Sequence, residues 1–220
     1  LQADVGAIGP SFQPGHAHAE TLSFELAIAG QPVVVNSGID RYGLGAERLW
    51  QRGTAAHSTV VVDGRNSSDV WSGFRVGRRA RVTPLHIDPP VTDGPDAAWC
   101  LTAAHTGYAR PTRRIRHQRT WRLSPRRLTV IDRISGEVNA ASSLFHFHPS
   151  LTLRPLSESE VGVFPSSDQW DRMLATILLN PGFTIVKTSH YSGLGRGKVG
   201  VCLVIPFSGE TAIDVHWLEF

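Results

Sequence analysis

Across 220 residues no stretch sustains the apolar periodicity of a long helix. Short β-rich runs recur instead, at Thr59–Asp63, Leu128–Ile134, Leu144–His148, Leu174–Leu179, Phe183–Lys187 and Val199–Ile205. Between such runs lie Asp63-Gly64, Ser135-Gly136, Asn180-Pro181-Gly182 and Ser208-Gly209, residues that tolerate or impose the dihedrals of tight turns. Strands so short and so often punctuated bury one face each. They predict an all-β fold, a large antiparallel two-sheet β-sandwich of the super-sandwich type. A chain of this length can bury one substantial core, and one unit is expected over residues 1–220. Pro89-Pro90 through Asp96 reads as an exposed loop between sheet segments.

The chemistry is concentrated between Pro14 and His57. His16 and His18 are spaced i, i+2, which puts both imidazoles on one face if the segment is extended. Asn36 closes the apolar run Pro32-Val33-Val34-Val35, and His57 opens the run Thr59-Val60-Val61-Val62. Two strand ends and one turn can converge on a point. Neutral imidazoles suit zinc, and three protein ligands with an open position make a plausible site. The competing reading is a set of hydrogen bonds that tie the loops together without a metal.

These blocks resemble a known family. Pro14-Gly15-His16-Ala17-His18-Ala19-Glu20-Thr21-Leu22-Ser23-Phe24 is similar to the signature that opens the C-terminal β domain of heparinase II/III-type polysaccharide lyases. Val35-Asn36-Ser37-Gly38, Arg52 through Gly64, and Trp71-Ser72-Gly73-Phe74 through Ala80 follow in the same order. Thinner likeness continues through His117-Gln118-Arg119-Thr120 and His146-Phe147-His148-Pro149. The resemblance implies a catalytic His16 and a structural zinc ion on His18, Asn36 and His57. Asn36 stands where well-studied members carry aspartate, and its amide oxygen brings no charge to a metal. Glu20 replaces a usual aspartate and Ser58 a usual asparagine.

The resemblance further implies a β-eliminating lyase acting on uronic-acid-containing anionic polysaccharide, in the periplasm or outside the cell. In that family a preceding α/α toroid domain supplies a tyrosine and the group that neutralises the uronate. The chain begins at Leu1, inside what resembles a family motif, so a longer protein is expected and this part alone is expected to be inactive. Tyr42 is a second catalytic candidate, with packing as its alternative. Arg52 is a candidate clamp for an acidic sugar, or a brace for the His57 loop. The rival function is a non-catalytic carbohydrate-binding or structural β module. A zinc hydrolase would need a general-base carboxylate, for which Glu20 is the nearby candidate.

Charge agrees with an anionic partner. Basic residues number 22 against 19 acidic, and Lys187 and Lys198 are the only lysines. Guanidinium forks bind carboxylate and sulfate through paired hydrogen bonds. The densest run, Arg110 to Arg127, lacks any accompanying nucleic-acid signature and reads as the solvated face of a strand. No nucleic acid and no membrane partner is expected, since no run is apolar enough to span a bilayer. Cys100 and Cys202 read as buried free thiols. His146 and His148 alternate with phenylalanines and read as a hydrogen-bonded or sugar-facing pair, while His86, His105, His117, His190 and His216 read as structural.

Overall fold

A computed structural model describes residues 1–10, 12–90, 94, 97–109, 113–166 and 172–218. Arg110 and most of the expected 89–96 loop lie outside the described residues. In chain order the first strands are β1 (Gln2–Ala3), β2 (Phe24–Ile28), β3 (Gln31–Val34), β4 (Val60–Val62), β5 (Val70–Trp71) and β6 (Arg75–Val76). Then come β7 (Val82–Asp88), β8 (Trp99–His105), β9 (Arg116–Ser124), β10 (Arg127–Ser135), β11 (Ala141–Phe147) and β12 (Leu151–Ser157). The last are β13 (Glu160–Pro165), β14 (Ala175–Leu178), β15 (Thr184–Tyr191), β16 (Gly197–Phe207) and β17 (Glu210–Trp217).

Two large sheets result, both antiparallel. A seven-stranded sheet runs β1-β2-β3-β11-β16-β15 with β4 also paired to β11, and an eight-stranded sheet runs β12-β13-β14-β17-β10-β9-β8-β7. The alternation that predicted strands is what packs them. Phe24, Phe145, Phe147, Leu203 and Ile205 project from the first sheet onto Trp121, Leu128, Val130, Val163, Ile177 and Val215 of the second. Phe24 and Phe145 meet edge to face at 5.0 Å. Each such side chain contributes roughly 1.5–3 kcal/mol when fully buried. Every strand-like run singled out in the sequence coincides with a strand.

The polar face expected for the strand around Arg119 is partly inverted. His117, Arg119 and Trp121 alternate inward, and Arg119 is 0% exposed. The cause is register: Asp132, on the inward face of β10 between Val130 and Ile134, lies directly across from Arg119. Arg119 Nε and Nη2 donate to the two Asp132 oxygens at 2.7 Å each. His117 Nε2 meets Asp132 Oδ1 at 2.8 Å, and His105 Nε2 meets His117 Nδ1 at 3.2 Å. Burial alone would raise Asp132, but the Arg119 guanidinium and its hydrogen bonds hold the carboxyl well below the usual range. Elsewhere in the run, Arg113 pairs with Asp63 at 2.9 Å and Arg127 with Asp214 at 2.8 Å. Both cysteines are free; Cys202 is buried and Cys100 half-buried.

Candidate functional site

The loops between β1 and β6 carry the site, and one short helix organises them. Helix α1 (Ala46–Arg52) is built from good helix formers, carries Glu47 in its first turn and Arg52 in its last, and stops at Gly53. Its burial is reversed from the usual amphipathic pattern. Arg48, Gln51 and Arg52 face inward while Leu49 is exposed. Arg48 and Arg52 are one turn apart on the same face, which brings two guanidiniums beneath the site.

Arg52 is 0% exposed. It donates to the carbonyls of Ala17, Ser72 and Arg75 at 3.0, 3.1 and 3.1 Å, and reaches Trp71 O at 3.5 Å. Its donors are committed to the main chain at Ala17 and at Trp71–Arg75 and do not face solvent, so it ties those two loops together rather than the His57 loop. Arg48 is 1% exposed and lies 5.3 Å from the centre of the Tyr42 ring. Its Nη1 donates to His18 Nε2 at 3.2 Å, whereas its Nε and Nη2 are buried with no hydrogen-bond partner among the described residues.

His16 and His18 do not share a face. Pro14 starts a 3-10 turn over Pro14–His16, so the extended spacing fails here; proline's fixed φ suits the first residue of such a turn. His16 is exposed and meets Tyr42 edge to face at 5.2 Å. Tyr42 in turn stacks 6.3 Å from Phe74. Tyr42, Phe74 and Trp71 are each nearly half exposed, and the first two form an aromatic surface beside His16.

His18 turns inward, toward His57, with ring centroids 5.2 Å apart. Asn36 joins them, for its Oδ1 lies 3.2 Å from His57 Nδ1. The expected convergence of His18, Asn36 and His57 is therefore present as a polar centre. Glu20 joins it too, its Oε2 3.7 Å from His57 Nδ1. His18, Glu20 and His57 each place a ligand-type atom within 4.8 Å of the others. Burial and then the charges of Arg48, Arg52 and His16 bring His18 down to about 4. Burial, followed by His18 and His146, holds His57 well below the ordinary histidine value. Burial and the carboxylates of Asp4 and Glu25 push Glu20 up to about 7. At neutral pH both imidazoles are uncharged, the form that binds a metal.

Two sets of contacts hold this centre in place. Arg119 Nη1, from the core network, donates to Leu22 O at 2.9 Å and Ser58 O at 2.7 Å, fixing the segments that carry Glu20 and His57. Tyr191 fixes the Asn36 loop: its N donates to Ser37 O at 2.7 Å and its hydroxyl to Glu47 at 2.9 Å. Gly38 adopts φ +74, and a Cβ there would stand 2.0 Å from Tyr191 O, so only glycine fits. On β11, Phe145 and Phe147 enter the core while His146 faces the site and meets Ala55 O at 3.0 Å. Sequence reasoning missed Arg48 and Tyr191 as members of this arrangement, and considered Glu20 only as a general base, not as a neighbour of His57 Nδ1. The pairing of two arginines one helical turn apart was the available signal.

The donor set fits zinc. Two neutral imidazoles, a carboxylate and an amide oxygen are ligands zinc accepts, and the oxygens gather at His57 Nδ1, Asn36 Oδ1 at 3.2 Å and Glu20 Oε2 at 3.7 Å. One contact competes. Arginine only donates, so His18 Nε2 accepts from Arg48 with the lone pair a metal would use.

Comparison with known proteins places these loops. Residues 1–193 match the sequence profile described as heparinase II/III-like, C-terminal. No curated protein sequence matches the chain. Among solved structures it is similar to the heparan sulfate lyase HepC from Pedobacter heparinus, at 17% identity and a TM-score of 0.68. It is also similar to a heparinase III, the BT4657 gene product, at 12% identity and a TM-score of 0.66. Each likeness covers 93% of this chain and 31% of the other, so the chain spans about a third of the length of those proteins. At such identities the likeness establishes the sandwich fold.

Proposed function

Because the chain belongs to the heparinase II/III-like family through its C-terminal domain, we propose that it forms the β-sandwich wall of a polysaccharide lyase. The substrate is a uronic-acid-containing anionic polysaccharide, cleaved by β-elimination in the periplasm or outside the cell. One observation carries the reading: His16 and Tyr42 stand ring to ring at 5.2 Å on the surface, joined to the buried His18–His57 centre through Arg48. Elimination needs neutralisation of the carboxylate, a base for the proton at carbon 5 and an acid for the departing glycosidic oxygen. The His16 imidazole accepts the carbon-5 proton, and the Tyr42 hydroxyl protonates the departing oxygen. An α/α toroid domain of the same protein closes the cleft, neutralises the carboxylate and supplies further proton-transfer groups. Arg52 holds the His16 and Trp71 loops in register and so keeps the wall in shape.

His18, Asn36 and His57 would hold a zinc ion, which when bound cross-links the loops behind His16 and takes no part in proton transfer. The exposed Tyr42–Phe74 stack also suits a sugar ring face, and on that observation a non-catalytic carbohydrate-binding module is the second reading.

The test is His16→Ala in the full-length protein, with absorbance of the unsaturated uronate product followed on heparan sulfate and alginate. The rate should fall about a hundredfold or more, with the melting temperature unchanged. An unchanged rate removes His16 from the chemistry. Binding without turnover by the unaltered protein would favour the module.

A further inference from the structure

Glu20 occupies a position at the polar centre that the His18, Asn36 and His57 set leaves unexplained. We infer that Glu20, rather than Asn36, supplies the negative charge of this centre, so that a divalent cation binds through His18, Glu20 and His57 with the Asn36 amide oxygen as a neutral fourth contact. The inference rests on the zinc reading given above and assigns it a ligand.

Geometry supports it first. Four ligands at 2.0–2.1 Å in a tetrahedron stand about 3.3–3.4 Å from one another. Around His57 Nδ1 the neighbouring oxygens lie at 3.2 Å for Asn36 Oδ1 and 3.7 Å for Glu20 Oε2, both close to that edge. Glu20 Oε2 is therefore near a ligand position before any metal arrives. His18 completes the cluster within 4.8 Å.

Charge supports it second. Asn36 Nδ2 donates to Glu25 Oε1 at 3.2 Å, and since a carboxylate only accepts, this fixes the amide with its oxygen toward His57. That oxygen can ligate, yet it carries no charge. Two neutral imidazoles add none, and the Arg48 cation sits 3.2 Å from His18 Nε2. Without Glu20 every ligand atom would be neutral, and the bordering charges, the Arg48 cation beside His18 and the Glu25 carboxylate behind the Asn36 amide, offset one another, leaving a divalent ion uncompensated. Among the described residues Glu20 is the carboxyl group that joins the two histidines, and a bound cation would hold it ionised.

The experiment is a Zn2+ titration of the chelator-stripped full chain, by competition with a chromophoric chelator, alongside the visible absorption of the Co2+ form. The unaltered protein binds one zinc per chain. Glu20→Gln, matched in shape, should weaken binding at least tenfold, since even a group behind a ligand typically accounts for 10- to 100-fold. Asn36→Ala should weaken it less, and Glu20→Gln with Asn36→Asp should recover affinity by returning the charge to position 36. Glu20→Asp, which keeps the charge and shortens the arm, should also weaken binding and serves if Glu20→Gln does not fold. Unchanged affinity in Glu20→Gln, or a larger loss in Asn36→Ala than in Glu20→Gln, overturns the assignment while the zinc reading stands. No zinc on the unaltered protein overturns both.

Discussion

Two pairs of buried histidines stand at nearly the same separation, His18 with His57 at 5.2 Å and His105 with His117 at 5.1 Å, yet they are completed differently. The second pair is closed on itself. His105 Nδ1 accepts from Gly107 N at 2.9 Å, its Nε2 bonds His117, His117 bonds Asp132, and Asp132 is held by Arg119 and by Ser143 Oγ at 2.7 Å. The first pair is bordered by Arg48, whose Nε and Nη2 are buried without a hydrogen-bond partner among the described residues. A finished network uses its polar groups to join β8, β9 and β10 to the site loops. An unfinished one is a place for something to bind. The same residue type serves both purposes, and the distinction lies in whether the hydrogen bonds close.

The comparison breaks most visibly if the closed network is opened. Arg119→Met leaves Asp132 buried and unpaired, and should lower unfolding stability by about 3–5 kcal/mol in urea titration. A loss below about 1 kcal/mol would mean that the network is not the anchor described. The sequence offered little warning of it. Arg119 sits in the densest basic run, and local composition suggested a solvated strand face; its inward orientation is set by Asp132, a partner on the next strand.

Acidity should separate the two regions from ordinary surface behaviour. Burial lowers His105 and His117 below the usual histidine value, with the Asp132 carboxylate partly opposing this at His117. The unfolded chain therefore binds protons that the folded one refuses. Stability from these two groups is complete above about pH 6.5 and falls as pH drops below it, by at most about 1.4 kcal/mol per pH unit for each group. Asp132, held low, adds a further loss below about pH 4. Melting temperatures between pH 8 and 3 should fall in these two stages, and a flat profile from pH 7 to 5 would contradict the neutral, buried state assigned to both rings.

The smallest effect is expected at Arg48. Arg48→Met removes two unpartnered donors and leaves the His18 lone pair free, so stability should change by less than about 1 kcal/mol. Zinc binding should tighten, because the guanidinium no longer competes for His18. A loss comparable with that of Arg119→Met would show Arg48 to be a completed structural residue.

How much of this was legible follows from how local each signal is. The sandwich was readable because alternation and turn residues act within a few positions, as in Leu128–Ile134 and Ser135-Gly136, and β10 is found there. His16, His18, Asn36 and His57 were readable as a set from their place at turns and strand ends. The opposite orientation of His16 and His18 was not, because the 3-10 turn at Pro14 breaks the extended spacing. Helix α1 was hidden for another reason. At seven residues it is too short for periodicity, and its buried face is its charged one. Tyr191 and Glu20 act across long sequence separations, the former bonding Glu47 and the latter facing His57. Neither contact leaves a local pattern.

The central claim, that the His18–His57 centre is unfinished and closes on a metal, is tested most directly by anomalous diffraction at the zinc edge from crystals grown without chelator. One strong peak is expected about 2.0–2.1 Å from a nitrogen of each histidine, with Glu20 turned onto it. Absence of any peak, with ordered waters filling the space between His18, Glu20 and His57, would contradict it.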